Sequence, residues 1–271
     1  MYAFDYHRPS TVSDATALIA AHAEAKFLAG GQTLLPAMKL RLASPSDIID
    51  LGALRDTLSG LRREGDRVVI GAMTRHGEIA TSDVLRAAIP ALAGMAAIVG
   101  DPAVRARGTM GGSLANNDPA ADYPAAALAL GATIVTDRRE IGADAYFQGL
   151  FETALEEGEI ITAIAWPIPK RAGYEKFRNP ASRYAMVAVF VAERADSEVR
   201  VTVTGAGASG VFRAKEFEAA LQADFSETGI ANVQASPEGL NSDMHADAAY
   251  RAHLIGVMAR RAVKAAGASF P

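Results

Sequence analysis

The chain has 271 residues, half of them hydrophobic and 21% charged, which supplies material for a sizeable core and excludes wholesale disorder. Its 27 Lys+Arg against 31 Asp+Glu give a formal net charge of −4, without the basic excess of a nucleic-acid clamp. No apolar run approaches the ~20 residues that cross a bilayer. The opening MYAFDYHRPS has neither a basic nor an apolar leader region, so no transmembrane segment, no signal peptide and a cytoplasmic location are expected.

The first fifty residues read as α/β. Ser10-Thr11-Val12-Ser13-Asp14 supplies capping residues for an alanine-rich helix to about Glu24. Lys26 to Ala29 reads as a short buried strand running into Gly30-Gly31. A helix is expected after Thr33, with Leu34, Leu35 and Met38 inward and Pro36 in its first turn. Asp47 to Leu51 is a further strand.

From Leu54 the pattern changes. Arg67 to Ala72 reads as a strand, and two helical segments cover His76 to Val99. A second glycine-rich loop, Gly108 to Ser113, precedes a helix from Asp122 to Leu130, with strands at Ala132–Thr136 and Ile160–Trp166. Pro167 to Gly173 resembles an inter-domain linker, because two prolines and a glycine interrupt the periodicity. Beyond it, Arg183–Arg194 and Glu198–Thr204 read as an antiparallel hairpin. Helices follow at about Arg213–Gln222 and Asp247–Ala266. The expected organisation is α+β, with units at 1–170 (parts of about 1–53 and 54–170) and 171–271.

There is no cysteine. Disulfides, thiolate metal sites and cysteine-ligated iron–sulfur clusters are therefore excluded from these residues. The histidines, His7, His22, His76, His245 and His253, show no metal-ligand spacing, and no metal is expected.

Gly205-Ala206-Gly207-Ala208-Ser209-Gly210 is a literal GxGxxG after a strand, the pattern of a dinucleotide-binding turn. The preceding Glu198–Thr204 alternates polar and apolar residues, as a half-solvated antiparallel strand does. No apolar strand ends near Asp224, and the remaining chain is too short for a second βαβ half. A glycine-permissive loop is the better reading, and an NAD-binding module built on it is the weakest of three functional readings.

Two other clusters match each other in kind. Ala29-Gly30-Gly31-Gln32-Thr33 and Thr109-Met110-Gly111-Gly112-Ser113 each join adjacent glycines to a hydroxyl residue. Bare backbone brings N–H groups against phosphate oxygens, and a hydroxyl adds a donor. Two such loops could hold the two phosphates of one dinucleotide, or both could be plain turns.

The run from Ala29 to Arg41, the run Gly108 to Asp122 (GTMGGSLANNDPAAD) and the block Lys176 to Ala185 (KFRNPASRYA) lie in order across nearly the whole chain. Together they resemble the FAD-binding medium subunit of molybdenum hydroxylases, the carbon monoxide dehydrogenase type above all. The resemblance implies a vanillyl-alcohol-oxidase (p-cresol methylhydroxylase) type fold. Two α/β subdomains would hold FAD, followed by a C-terminal domain with a three-stranded antiparallel sheet and helices. It implies that the loops at Ala29–Thr33 and Thr109–Ser113 hold the pyrophosphate and that Asp122 contacts the adenosine part. Val99, Ile161 and Lys176 would line the pocket, and Tyr184 would cover the isoalloxazine. The implied partners are a molybdenum-containing large subunit and a [2Fe-2S] small subunit, as a dimer of heterotrimers that delivers electrons to an external acceptor. The alternative enzyme is a self-contained FAD oxidoreductase of a small substrate, for which Tyr184 and His76 are the best available acid/base groups.

Overall fold

At Thr11 an extended backbone lets the side-chain hydroxyl accept a hydrogen bond from the Asp14 N–H at 3.0 Å, which starts the Val12–Ala21 helix. The computed structural model describes residues 1–267; residues 268–271, at the end of the expected 171–271 unit, lie outside them. Strand Lys26–Leu28 follows, then the Leu34–Lys39 helix and strand Asp47–Asp50. These strands form a parallel sheet with Asp5–His7, an opening strand the sequence does not announce, and Asp47–Asp50 lies at its centre. Ala15, Ile49, Leu51 and Leu54 bury together with Leu58, Met73 and Ile160, so this small sheet shares its core with the segment that follows.

A second, antiparallel sheet runs in the spatial order Leu61–Glu64, Arg67–Gly71, Ile161–Pro167, Thr133–Thr136, Glu140–Gly142. Three helices, not two, cover His76 to Val99: His76–Thr81, Asp83–Ala88 and Pro90–Ala97. Ser82 has an extended backbone that ends the first, and its hydroxyl accepts from the Leu85 N–H to start the second. Pro90 opens the third, where its missing N–H costs nothing. The Tyr123–Leu130 helix is buried at every residue. It lies between the second sheet and a third one.

The third sheet is antiparallel, in the order Arg171–Arg178, Ala185–Glu193, Val199–Thr204 and the two-residue edge Phe212–Arg213, which adds a short fourth strand to the expected three. Helices Lys215–Ala223 and Ala248–Gly267 bury Phe217, Leu221, Ile255 and Met258 against Val187, Val189, Val201 and Val203. Pro167 ends one strand and Arg171 begins the next, so only residues 168–170 form the connection the sequence places at 167–173.

The Glu198–Thr204 alternation does mark an antiparallel strand, but it is not half-solvated: every residue of Val199–Thr204 is buried. Its valines face the helices. Its polar side chains satisfy carbonyl oxygens of the buried helix and of the turn before it: Thr202 Oγ1 donates to Ala125 at 2.7 Å and Arg200 Nη1 to Leu128 at 2.9 Å, while Thr204 Oγ1 donates to Ala121 at 2.7 Å. After Gly205–Gly210 comes the edge strand Phe212–Arg213, with no helix. A dinucleotide-binding turn requires a helix at that point.

Candidate cofactor site

The Ala29–Thr33 turn leaves the parallel sheet and passes directly over residues 107–108. A Cβ built on Gly30 would overlap the Arg107 carbonyl and stand 2.7 Å from Gly108 Cα, so only glycine allows this crossing. Gly31 has φ +73°, where an L side chain costs roughly 1–2 kcal/mol. A Cβ on Gly112 would lie 3.6 Å from the Ala29 Cβ. The two glycine clusters, far apart in the chain, thus touch each other, and both line one cleft of about 660 Å³.

Ala29, Gly30, Gly31, Gln32, Thr33, Val99, Thr109, Gly111, Gly112, Ser113, Asp122, Ile161, Lys176 and Tyr184 all line this cleft. Met110 does not. It is wholly buried in the core beside Leu114, because it opens the Met110–Asn116 helix with its side chain inward.

The clusters differ in what they offer. Thr109 to Ser113 is the start of a helix, not a loop, and its N–H groups are already engaged. Met110 donates to the Thr74 carbonyl at 3.1 Å, Gly111 to Ala72 at 2.9 Å and Gly112 to Thr109 Oγ1 at 3.3 Å. In the other cluster the N–H groups of Gly30, Gly31, Gln32 and Thr33 donate to no protein atom among the described residues. A run of unpaired N–H groups on a cleft wall is a site for phosphate-like oxygens. The second cluster contributes shape and hydroxyls, since the Ser113 hydroxyl has no protein partner among the described residues.

At another part of the wall, Lys176 and Asp122 form a buried ion pair at 2.9 Å, with side chains 1% and 5% exposed. The Tyr174 hydroxyl also donates to Asp122, and burial together with that carboxylate raises the Tyr174 hydroxyl well above its ordinary pKa. Tyr184 is half exposed in the loop before strand Ala185–Glu193. Its pKa is raised by burial, with smaller contributions from Asp118 and Asp122. His76 lies almost fully buried on the wall, with Nδ1 3.2 Å from the Tyr123 hydroxyl. Burial, helped by Arg105, lowers its pKa to about 4, so the imidazole is neutral at physiological pH. That suits a shape-forming wall residue better than an acid/base catalyst.

Two lining residues were not singled out as site residues by the sequence, although Arg183 lies within the KFRNPASRYA block. Phe151 (φ +56°) and Arg183 (φ +63°) both hold the left-handed conformation that non-glycine residues avoid. Phe151 is 61% exposed, a large apolar residue on the cleft lining. Asn116 and Asp118 also line the cleft; they stand within the GTMGGSLANNDPAAD run but were not singled out as site residues.

The donors and walls fit a cofactor that is phosphorylated at one part and planar or apolar at another, which is the demand FAD makes. The chain belongs to the family described as the FAD binding domain in molybdopterin dehydrogenase, whose model matches residues 2–169. It is 37% identical to the carbon monoxide dehydrogenase medium chain of Afipia carboxidovorans, over 98% of this chain and 97% of that one. It is 36% identical to the nicotine 6-hydroxylase medium subunit of Paenarthrobacter nicotinovorans, over 98% of each. Among solved structures, reconstituted CO dehydrogenase from Oligotropha carboxidovorans aligns with a TM-score of 0.88 at 35% identity, over 98% of each chain. Quinoline 2-oxidoreductase from Pseudomonas putida 86 aligns at 0.87 and 28%, over 98% of this chain and 97% of that one. The fold is thus the expected p-cresol methylhydroxylase type, the cofactor is FAD, and the chain is a subunit of an oxidoreductase. No helix among the described residues is long and apolar enough to cross a membrane.

Proposed function

We propose that this chain is the FAD-carrying electron-transfer subunit of a molybdenum hydroxylase, taking electrons from iron–sulfur clusters in a partner and passing them to an external acceptor. The observation that carries this reading is the free N–H row at Gly30–Thr33 on a cleft that also holds Tyr184 and the Asp122–Lys176 pair. In this reading the Gly30–Thr33 N–H groups, with the Thr109 and Ser113 hydroxyls, would hold the pyrophosphate. Asp122 would meet the adenosine part, Val99, Ile161 and Lys176 would complete the pocket, and Tyr184 would cover the isoalloxazine. FAD, when bound, supplies both one- and two-electron redox chemistry; the protein supplies position and electrostatics.

A chain without cysteine offers no thiolate to a cluster, so an iron–sulfur donor would belong to another subunit. The full reading places it with a molybdenum-containing large subunit and a [2Fe-2S] small subunit in a dimer of heterotrimers, with units 1–170 and 171–271 in this chain. Co-expression with the two chains encoded beside it and sizing of the complex tests the assembly. Anaerobic mixing with candidate substrates tests the electron path. Flavin bleaching only in the complex is expected; bleaching of the isolated chain by a small substrate would favour the self-contained oxidoreductase. The neutral, buried His76 speaks against that alternative.

A further inference from the structure

Away from the cleft, the parallel sheet assembles three ligand-type side chains that the sequence keeps apart. His7 ends the opening strand, His22 follows the Val12–Ala21 helix, and Asp47 starts the central strand. His7 Nε2 lies 2.7 Å from Asp47 Oδ1, and His22 Nδ1 lies 3.4 Å from Asp47 Oδ2. One ligand atom from each residue lies within 4.8 Å of the other two.

We infer that His7, His22 and Asp47 form a binding site for a zinc-class divalent cation. Bonds of about 2.0–2.1 Å in a tetrahedral site put ligand atoms about 3.3 Å apart. His7 and His22 approach different oxygens of the Asp47 carboxylate, so an ion held between them would meet both oxygens, and small side-chain shifts would bring the ligand atoms to that spacing. Two imidazole nitrogens and one carboxylate suit zinc rather than calcium or magnesium, which take oxygen ligands. The histidine side chains are 27% and 39% exposed while Asp47 is 6% exposed, so an ion has an entry path, a buried anionic anchor and room for water as a fourth ligand. Ser46 Oγ donates to Asp47 Oδ2 at 2.7 Å and orients the carboxylate, the outer-shell support that metal ligands ordinarily have.

The site is structural in placement. None of His7, His22 and Asp47 lines the flavin cleft; they sit where the opening strand, the end of the first helix and the start of the central strand meet. Metal there would clamp the opening strand and the first helix to the central strand without touching the flavin cleft. The inference therefore stands apart from the proposed function. The plainer use of the same residues is a hydrogen-bonded His–Asp–His cluster.

Zinc titration of tag-free, chelator-stripped, FAD-loaded protein at pH 7.5, against a chromophoric competitor, separates the two. One equivalent of zinc is expected. His22→Ala should weaken binding at least tenfold, since even outer-shell losses cost 10–100-fold. The exposed pair His245→Gln/His253→Gln should bind as before. Absence of stoichiometric zinc, binding untouched by His22→Ala, or binding lost in the His245/His253 variant would each overturn the site. His22 is at an exposed helix end, so its variant should fold, which circular dichroism and flavin content would verify. Asp47→Asn gives a second test on the buried anchor.

Discussion

Lys176 Nζ lies 2.9 Å from Asp122 Oδ1, which ties the first strand of the third sheet to the residue just ahead of the buried Tyr123–Leu130 helix. Both charges are removed from water, so each depends on the other. Removing one partner of such a pair costs about 3–5 kcal/mol, because the remaining charge stays buried without compensation. Lys176→Met should therefore lower unfolding stability by about 3 kcal/mol or more. The double variant Asp122→Asn/Lys176→Met should recover part of that loss. Denaturant unfolding of the wild type, both single variants and the double variant measures the coupling. A single-variant cost below about 1 kcal/mol would show that solvent from the cleft already screens the pair.

His76 sets an acid limit on stability. Its folded pKa of about 4 lies below the ordinary imidazole value near 6.5, because burial disfavours the charged ring. Between those values the unfolded chain binds a proton that the folded chain refuses, so stability rises with pH across this window. The contribution is fully present above about pH 6.5 and is lost as pH falls toward 4, amounting to about 3 kcal/mol. His76→Asn should flatten this part of the stability curve relative to the wild type. Melting temperatures from pH 7 to 4 test it; parallel curves for the two proteins would count against a neutral, buried His76.

What the sequence made legible were features with local signatures. The Thr11 cap, the hairpin about Ala195–Ser197 and the paired glycine clusters all appear where expected. What stayed hidden depends on contacts between distant segments. The alternation in Glu198–Thr204 could not reveal that its polar face meets backbone carbonyls instead of water. Gly173 looked like linker because its reason is the Ala262 backbone, which packs where a Cβ would stand. Both glycine clusters looked like equal phosphate loops, and only the fold shows that Met110–Gly112 have already used their N–H groups. His7, His22 and Asp47 meet because their strands and helix pack on one parallel sheet, a pairing no spacing rule encodes.

Thr202 tests the polar junction between the third sheet and the buried helix. Its hydroxyl donates to the Ala125 carbonyl at 2.7 Å with no solvent contact. Thr202→Val keeps the shape and removes the hydrogen bond, which should cost about 0.5–1.5 kcal/mol. Thr202→Ser should restore much of that loss. Flavin content and spectrum should not change, because the contact is away from the cleft. Thermal unfolding followed by circular dichroism and by flavin fluorescence checks both halves; a stable Thr202→Val protein that loses flavin would contradict this separation.

The last prediction distinguishes the two glycine-rich turns by what their backbones do. Gly31 holds φ +73° in the turn whose N–H groups lack protein partners among the described residues, and a Cβ there would stand 2.8 Å from Leu35 Cδ1. A β-branched residue cannot keep that conformation without strain, so Gly31→Val should move the turn and scatter the donor row. Losing two charge-assisted N–H contacts to phosphate would cost roughly 3–6 kcal/mol, about two to four decades in FAD affinity. Gly207 has no positive φ, but a Cβ there would overlap the Gly210 carbonyl and crowd Phe212 at 2.8 Å. Gly207→Ala should therefore lower the melting temperature, through overpacking of about 1–3 kcal/mol, while leaving flavin stoichiometry intact. Absorbance gives the FAD content of both variants, and circular dichroism establishes that each is folded. A folded Gly31→Val protein that retains full flavin, or a folded Gly207→Ala protein that loses it, would overturn the proposal that the Gly30–Thr33 turn holds the phosphates.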